Sequence, residues 1–160
     1  SDRVFSGSFS YYSGANDTDE QAILEIDVPI NPSEIVYYYQ ETEDSFGSGV
    51  RFYNSNGNDE LGTGTDNPAF TIDSSSGIND NISGSNDGQY DVWVKVIHTF
   101  DWSNNQVTVL FDRLDGSNSG QDTVTLKQGV DISRIELWNL NDNWVEGGLD
   151  AWWDEFSIPL

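Results

Sequence analysis

Alternation at a period of two is the feature that most constrains this chain. Val94, Val96, His98 and Phe100 alternate with Lys95, Ile97 and Thr99, and Val107, Val109 and Phe111 alternate with Thr108 and Leu110. A period of two sends successive side chains to opposite faces of a half-buried sheet. Similar β-branched and aromatic runs recur along the sequence, separated by clusters of Gly, Asn, Asp and Ser. No stretch keeps a helical period. This punctuation predicts an all-β, two-sheet antiparallel sandwich. Strands are expected at about 3–12, 21–28, 34–42, 49–54, 60–64, 69–73, 90–101, 106–113, 122–127, 132–139 and 149–158.

Parity then assigns faces. Val92, Val94, Val96 and Phe100 are expected inward, with His98 on the same apolar side, as are Val107, Val109 and Phe111. Ile135 and Leu137 oppose Arg134, Glu136 and Trp138. Phe156 and Ile158 oppose Trp153 and Glu155, and Tyr38 opposes Tyr37 and Tyr39. Asn56-Gly57, Ser103-Asn104-Asn105 and Asp115-Gly116 supply turn chemistry. Trp102 reads as a packing residue at a turn. The stretch 74–89 is long enough without strand pattern to be a functional or mobile loop.

The 160 residues suit one domain, 1–160, with no composition shift to mark a second, and a domain of this kind is expected to be one part of a larger extracellular protein. Ser1 reads as a processed start. Cysteine is absent, which excludes disulfides, thiolate metal sites and a cysteine nucleophile. Six Trp, seven Tyr and eight Phe supply material for a core in spite of the charge. No apolar run is long enough to span a bilayer.

Charge is the other strong signal. Twenty-eight acidic residues face 6 basic ones, for a formal charge of -22. Without a basic patch the chain cannot neutralise phosphates, which excludes nucleic acid as a partner. Abundant Asp with scarce Lys is the pattern expected of a halophile's protein, whose self-repulsion is screened by salt. An acidic, calcium-loaded secreted domain at ordinary salinity is the competing reading.

Four short segments carry a family resemblance. Trp93-Val94-Lys95-Val96-Ile97-His98-Thr99-Phe100-Asp101, Val107-Thr108-Val109-Leu110-Phe111-Asp112, Trp153-Asp154-Glu155-Phe156-Ser157-Ile158 and Ser6-Gly7-Ser8-Phe9-Ser10 fall in the order of strands in a jelly roll. The chain resembles laminin-G-like, concanavalin-A-like domains, in particular extracellular carbohydrate-binding modules of halophilic archaea or bacteria. The resemblance implies a jelly roll, a secreted or cell-surface location and a structural calcium near the closing strand. In such modules a further strand carrying a metal-binding acid often precedes the Gly-Ser strand, whereas this sequence begins almost at that strand.

The candidate residues follow. Asp154 shares the parity of Phe156 and Ile158, so its carboxylate is expected at the core edge, where it needs a partner. Calcium, a hard cation taking six to eight oxygens, is one; a backbone or Arg hydrogen bond is another. The loop 139–148 gathers Asp142, Asn143 and Trp144, a mixture suited to stacking a sugar ring and fixing its hydroxyls, and equally that of an ordinary acidic turn. Trp138, Trp153 and Tyr38 have outward parity and are expected to form an aromatic platform if their strands are neighbours, with Glu136 as a hydroxyl partner.

Catalysis has little support. His98, the only histidine, sits on an apolar parity. Asp154 and Glu155 point to opposite faces and cannot flank one glycosidic bond; Glu136 with Glu155 is a further pairing. The Glu-x-Asp-x-x-Glu strand of related glucanases and the Gln-x-His strand of jelly-roll alginate lyases are absent. The leading expectation is a non-catalytic, lectin-like module for a polysaccharide or glycan, with a structural calcium, no membrane insertion, and neighbouring domains or self-association as further contacts. A structural or adhesive cell-surface or appendage domain is the alternative, and a polysaccharide-cleaving enzyme the third.

Overall fold

A computed structural model describes residues 11–13, 20–41, 48–53, 71–72, 92–116, 119–125, 131–139 and 151–159. They form strands β1 (Tyr11–Ser13), β2 (Glu20–Ile30), β3 (Glu34–Glu41), β4 (Ser48–Tyr53), β5 (Thr71–Ile72), β6 (Val94–Asp101), β7 (Gln106–Arg113), β8 (Ser119–Thr125), β9 (Ile132–Asn139) and β10 (Ala151–Ser157). One sheet has the order β1-β10-β3-β6-β7-β8 and the other β2-β9-β4-β5, with antiparallel pairing throughout. The expected all-β, two-sheet antiparallel sandwich is what the chain forms, in a jelly-roll-like arrangement. The strands expected at 60–64 and the loop at 74–89 lie outside the described residues, as does Asn56-Gly57. Among the described residues no helix is long and apolar enough to cross a membrane.

The core lies between the sheets. Ile35, Tyr37, Tyr39, Val94, Val96, Phe100, Val107 and Val109 come from the larger sheet, and Val50, Phe52, Ile132 and Ile135 from the smaller. His98 is buried among them, as its parity requires. Its Nε2 lies 3.2 Å from the Tyr37 hydroxyl, and Phe52 meets its ring edge-on. Burial pushes the His98 pKa down to about 3 and raises that of Tyr37.

The β6–β7 hairpin turns on Asp101. Its carboxylate accepts hydrogen bonds from Ser103 Oγ at 2.6 Å, Asn104 Nδ2 at 2.7 Å and the Asn104 amide at 3.1 Å. These bonds, that from Ser103 first, hold its pKa below the ordinary Asp value. Asn105 takes the left-handed conformation that the turn demands, at φ 52. Trp102 packs as expected: its ring lies parallel to Phe100 at 4.9 Å and its Nε1 donates to the Pro32 carbonyl at 2.8 Å.

One departure reorders the closing strand. β10 runs from Asp154 to Ser157 while its partner β3 runs only from Tyr38 to Val36, so β10 carries one extra residue. The bulge centres on Glu155, whose φ is 47. Alternation breaks there. Trp153 and Phe156 consequently both face the core: Trp153 is 2% exposed and packs on Tyr39, while Phe156 stacks on Tyr37 at 5.3 Å. The expectation that Trp153 opposes Phe156 is thereby corrected.

Candidate functional site

The smaller sheet carries a polar cluster on the face turned away from the core. Ile135 points into the core, so its neighbours Arg134 and Glu136 project to the opposite side. The ladder sets Arg134 beside Tyr53 and Glu136 beside Arg51 on β4, and sets Arg134 beside Glu25 and Glu136 beside Ile23 on β2. Tyr53 Oη donates to Glu136 Oε2 at 2.6 Å, and Arg134 Nη2 lies 3.3 Å from Glu136 Oε1. The Arg134 guanidinium also sits 3.8 Å over the Tyr53 ring, a cation–π contact. Glu136 is 5% exposed, so its carboxylate depends on these partners. Arg134 Nε is buried with no hydrogen-bond partner among the described residues, which leaves one donor of the fork unused.

This arrangement fixes a carboxylate, a phenol and a guanidinium in one orientation before any ligand arrives. Tyr53 and Glu136 are themselves buried, and Arg134 keeps 24% of its side chain exposed. Glu136 was a sequence candidate. Tyr53 and Arg134 were not, because nothing in the sequence sets Tyr53 beside a residue 83 positions away.

The other candidates are distributed differently from the expected platform. Trp138 follows on β9, with its backbone paired to Gly49 and Gln21; its side chain is outside the described residues. Asp142, Asn143 and Trp144 are also outside them. Tyr38 is half-buried on the larger sheet, across the sandwich from β9, so it cannot share a surface with Glu136 or a β9 residue. Trp153 is a core residue and contributes no ring to any surface. Glu155 lies in the larger sheet and Glu136 in the smaller, which removes the Glu136–Glu155 pairing.

Asp154 does not point at the core edge beside Phe156, because the bulge intervenes. The register sets it beside Tyr38 on the outer face of the larger sheet, where it is nevertheless 8% exposed. Its Oδ1 accepts the Glu155 amide at 2.7 Å, a bond that steadies the bulge. Gln40, paired with Trp152, is its diagonal neighbour on that face, and Gln40 Oε1 is buried with no hydrogen-bond partner among the described residues. One amide oxygen and one carboxylate on that face fall short of the six to eight oxygens that calcium takes. No group of three or more His, Cys, Asp or Glu able to hold a metal occurs among the described residues, so further oxygens would have to come from backbone, amide side chains or water.

No family model matches the chain, and no curated protein matches it. Among solved structures, a GH131 beta-glucanase catalytic domain from Podospora anserina is similar over 93% of this chain and 71% of that one, with 14% identity and a TM-score of 0.40.

Proposed function

We propose that this domain is an extracellular, non-catalytic carbohydrate-binding module that works in salty surroundings and carries a structural calcium. The observation that supports it most directly is the Tyr53–Glu136–Arg134 set on the outer face of the smaller sheet. A sugar ring presents adjacent hydroxyls that both donate and accept. Arg134, whose side chain keeps 24% exposure and is already held by Glu136 and the Tyr53 ring, can present guanidinium donors to a hydroxyl at little reorganisation cost, with the buried Glu136 and Tyr53 positioning it. Trp138, two residues along β9 from Glu136, is the aromatic of this reading. Trp144, Asp142 and Asn143 remain its sequence-based contacts.

Directly across from Glu136 stand Arg51 and Ile23, and Glu25, paired with Arg134, is its diagonal neighbour on that face, so an assay for hydrolysis separates the binding and enzyme readings. The calcium reading rests on Asp154 and Gln40, which would hold β10 against β3; the metal would supply charge neutralisation there. Affinity electrophoresis of the domain through gels containing different polysaccharides, run in concentrated NaCl, tests the binding reading. Retardation by at least one polysaccharide, without release of reducing ends, is expected. Reducing-end release would replace it with the enzyme reading.

A further inference from the structure

β2 is the outer strand of the smaller sheet and is paired, among the described residues, only with β9. Its two halves differ. From Glu25 to Ile30 it runs past only Arg134 to Ile132, so the stretch with Asp27, Val28 and Pro29 bulges off the ladder. Charge, proline and a bulge are the usual protection of an edge against pairing. From Glu20 to Glu25 the ladder is regular, with no proline or bulge and with charge only at its two ends. Ile23 and Leu24 in that half are 52% and 51% exposed. Beside it lies a cavity of about 310 Å³ lined by Ala22, Leu24, Ile135 and Leu137 from one sheet, Phe156 from the other and Ile158 just beyond β10, with Ile23 at its rim. Among the described residues the sandwich is open along this edge, with aliphatic lining on both sides.

We infer that the Glu20–Glu25 edge of β2 is a docking strand for an extended partner segment with aliphatic residues at its centre and basic residues at its ends. Main-chain hydrogen bonds to this edge, which no other described strand pairs, give such a partner its affinity, and alternate side chains give it specificity. Leu24 and Ala22 pair across β9 with Ile135 and Leu137, so every second partner residue faces the cavity. Charge selects the ends. Glu25 and Asp27 are exposed on β2, and the chain as a whole carries a charge of -22. A second copy fits poorly: antiparallel overlap of the six-residue stretch with itself sets position 20 against position 25 at both ends, acid against acid, and like charges directly opposite one another destabilise a ladder. A partner carrying Lys or Arg at those two points converts both oppositions into attractions. This inference is independent of the glycan reading, since it uses neither Glu136 nor Tyr53.

The test is a blocked hexapeptide, Lys-Thr-Leu-Val-Thr-Lys, titrated into the isotopically labelled domain and followed by amide chemical shifts. Saturable shifts confined to 21–25 and the residues around the cavity are expected. Methylating alternate backbone nitrogens of the peptide should weaken binding by about tenfold or more, the scale of one or two lost hydrogen bonds. Leu24→Arg, a change at a half-exposed position, should abolish binding while leaving the fold intact. Equal binding of the methylated peptide, or binding undiminished by Leu24→Arg, would show mere attraction between opposite charges and overturn the inference. So would absence of any shift, or concentration-dependent dimerisation of the peptide-free domain through the same residues.

Discussion

Tyr53 and Glu136 meet across β4 and β9 at 2.6 Å, a phenol donating to a carboxylate that is almost closed off from water. The bond does two things at once. It satisfies a buried charge, and it fixes the position of the oxygens around it. Removing the donor leaves Arg134 as the remaining partner described for Glu136. Tyr53→Phe should therefore destabilise the domain by about 1–3 kcal/mol, the cost of an unsatisfied buried acceptor. Urea unfolding at constant salt measures it; a loss well below that range would mean water replaces the hydroxyl.

His98 sets the acid side of the stability profile. Its folded pKa lies near 3 against an ordinary 6.5, so below 6.5 the unfolded chain binds a proton that the folded one refuses. The contribution is complete above pH 6.5 and is lost as pH falls from there toward 3, at a slope of up to about 1.4 kcal/mol per pH unit. Asp101, whose folded pKa is lowered, acts only further down, as its own carboxylate and its unfolded counterpart protonate. The difference in unfolding free energy between the native protein and His98→Gln should therefore vary with pH between 6.5 and about 4.5, before Asp101 enters. A flat difference across that interval would contradict the burial of a neutral imidazole.

The bulge at Glu155 can be relieved or worsened. A left-handed φ of 47 costs a non-glycine residue about 1 kcal/mol. Glu155→Gly should be neutral to stabilising by about 0.5–1 kcal/mol, whereas Glu155→Val should destabilise by more than that. Trp153→Ala, in contrast, empties a core site and should cost about 3–5 kcal/mol. Thermal melts of the three variants distinguish a required bulge from a register that can slip.

The difficulty of reading this site from sequence has a physical cause. Val94, Val96, His98 and Phe100 were legible because β6 pairs without interruption with both β3 and β7, so parity holds along its whole length. β10 misled because its extra residue falls at a Glu, with no Gly or Asn to signal the left-handed backbone. Trp153 therefore read as a surface ring and Asp154 as a core-edge acid. Glu136 was legible as outward-facing, but its burial depends on which strand lies beside β9, and strand order is long-range information. Tyr38 and Trp138 were grouped by parity alone, and the topology puts their strands in different sheets.

Salt and calcium form a linked pair of measurements. With a net charge of -22, screening should raise the melting temperature as NaCl increases. Calcium at fixed ionic strength should raise it further, and Asp154→Asn should remove that second increment alone. A melting temperature indifferent to both would contradict the halophile and calcium readings.

The central proposal is tested most directly by a glycan array probed in concentrated NaCl with the native domain, Glu136→Gln and Trp138→Ala, each first shown to be folded by circular dichroism. The account predicts selective binding by the native domain and at least about a tenfold loss in each variant, the equivalent of 1.4 kcal/mol. Binding by none of the three, or equal binding by all of them, would contradict it.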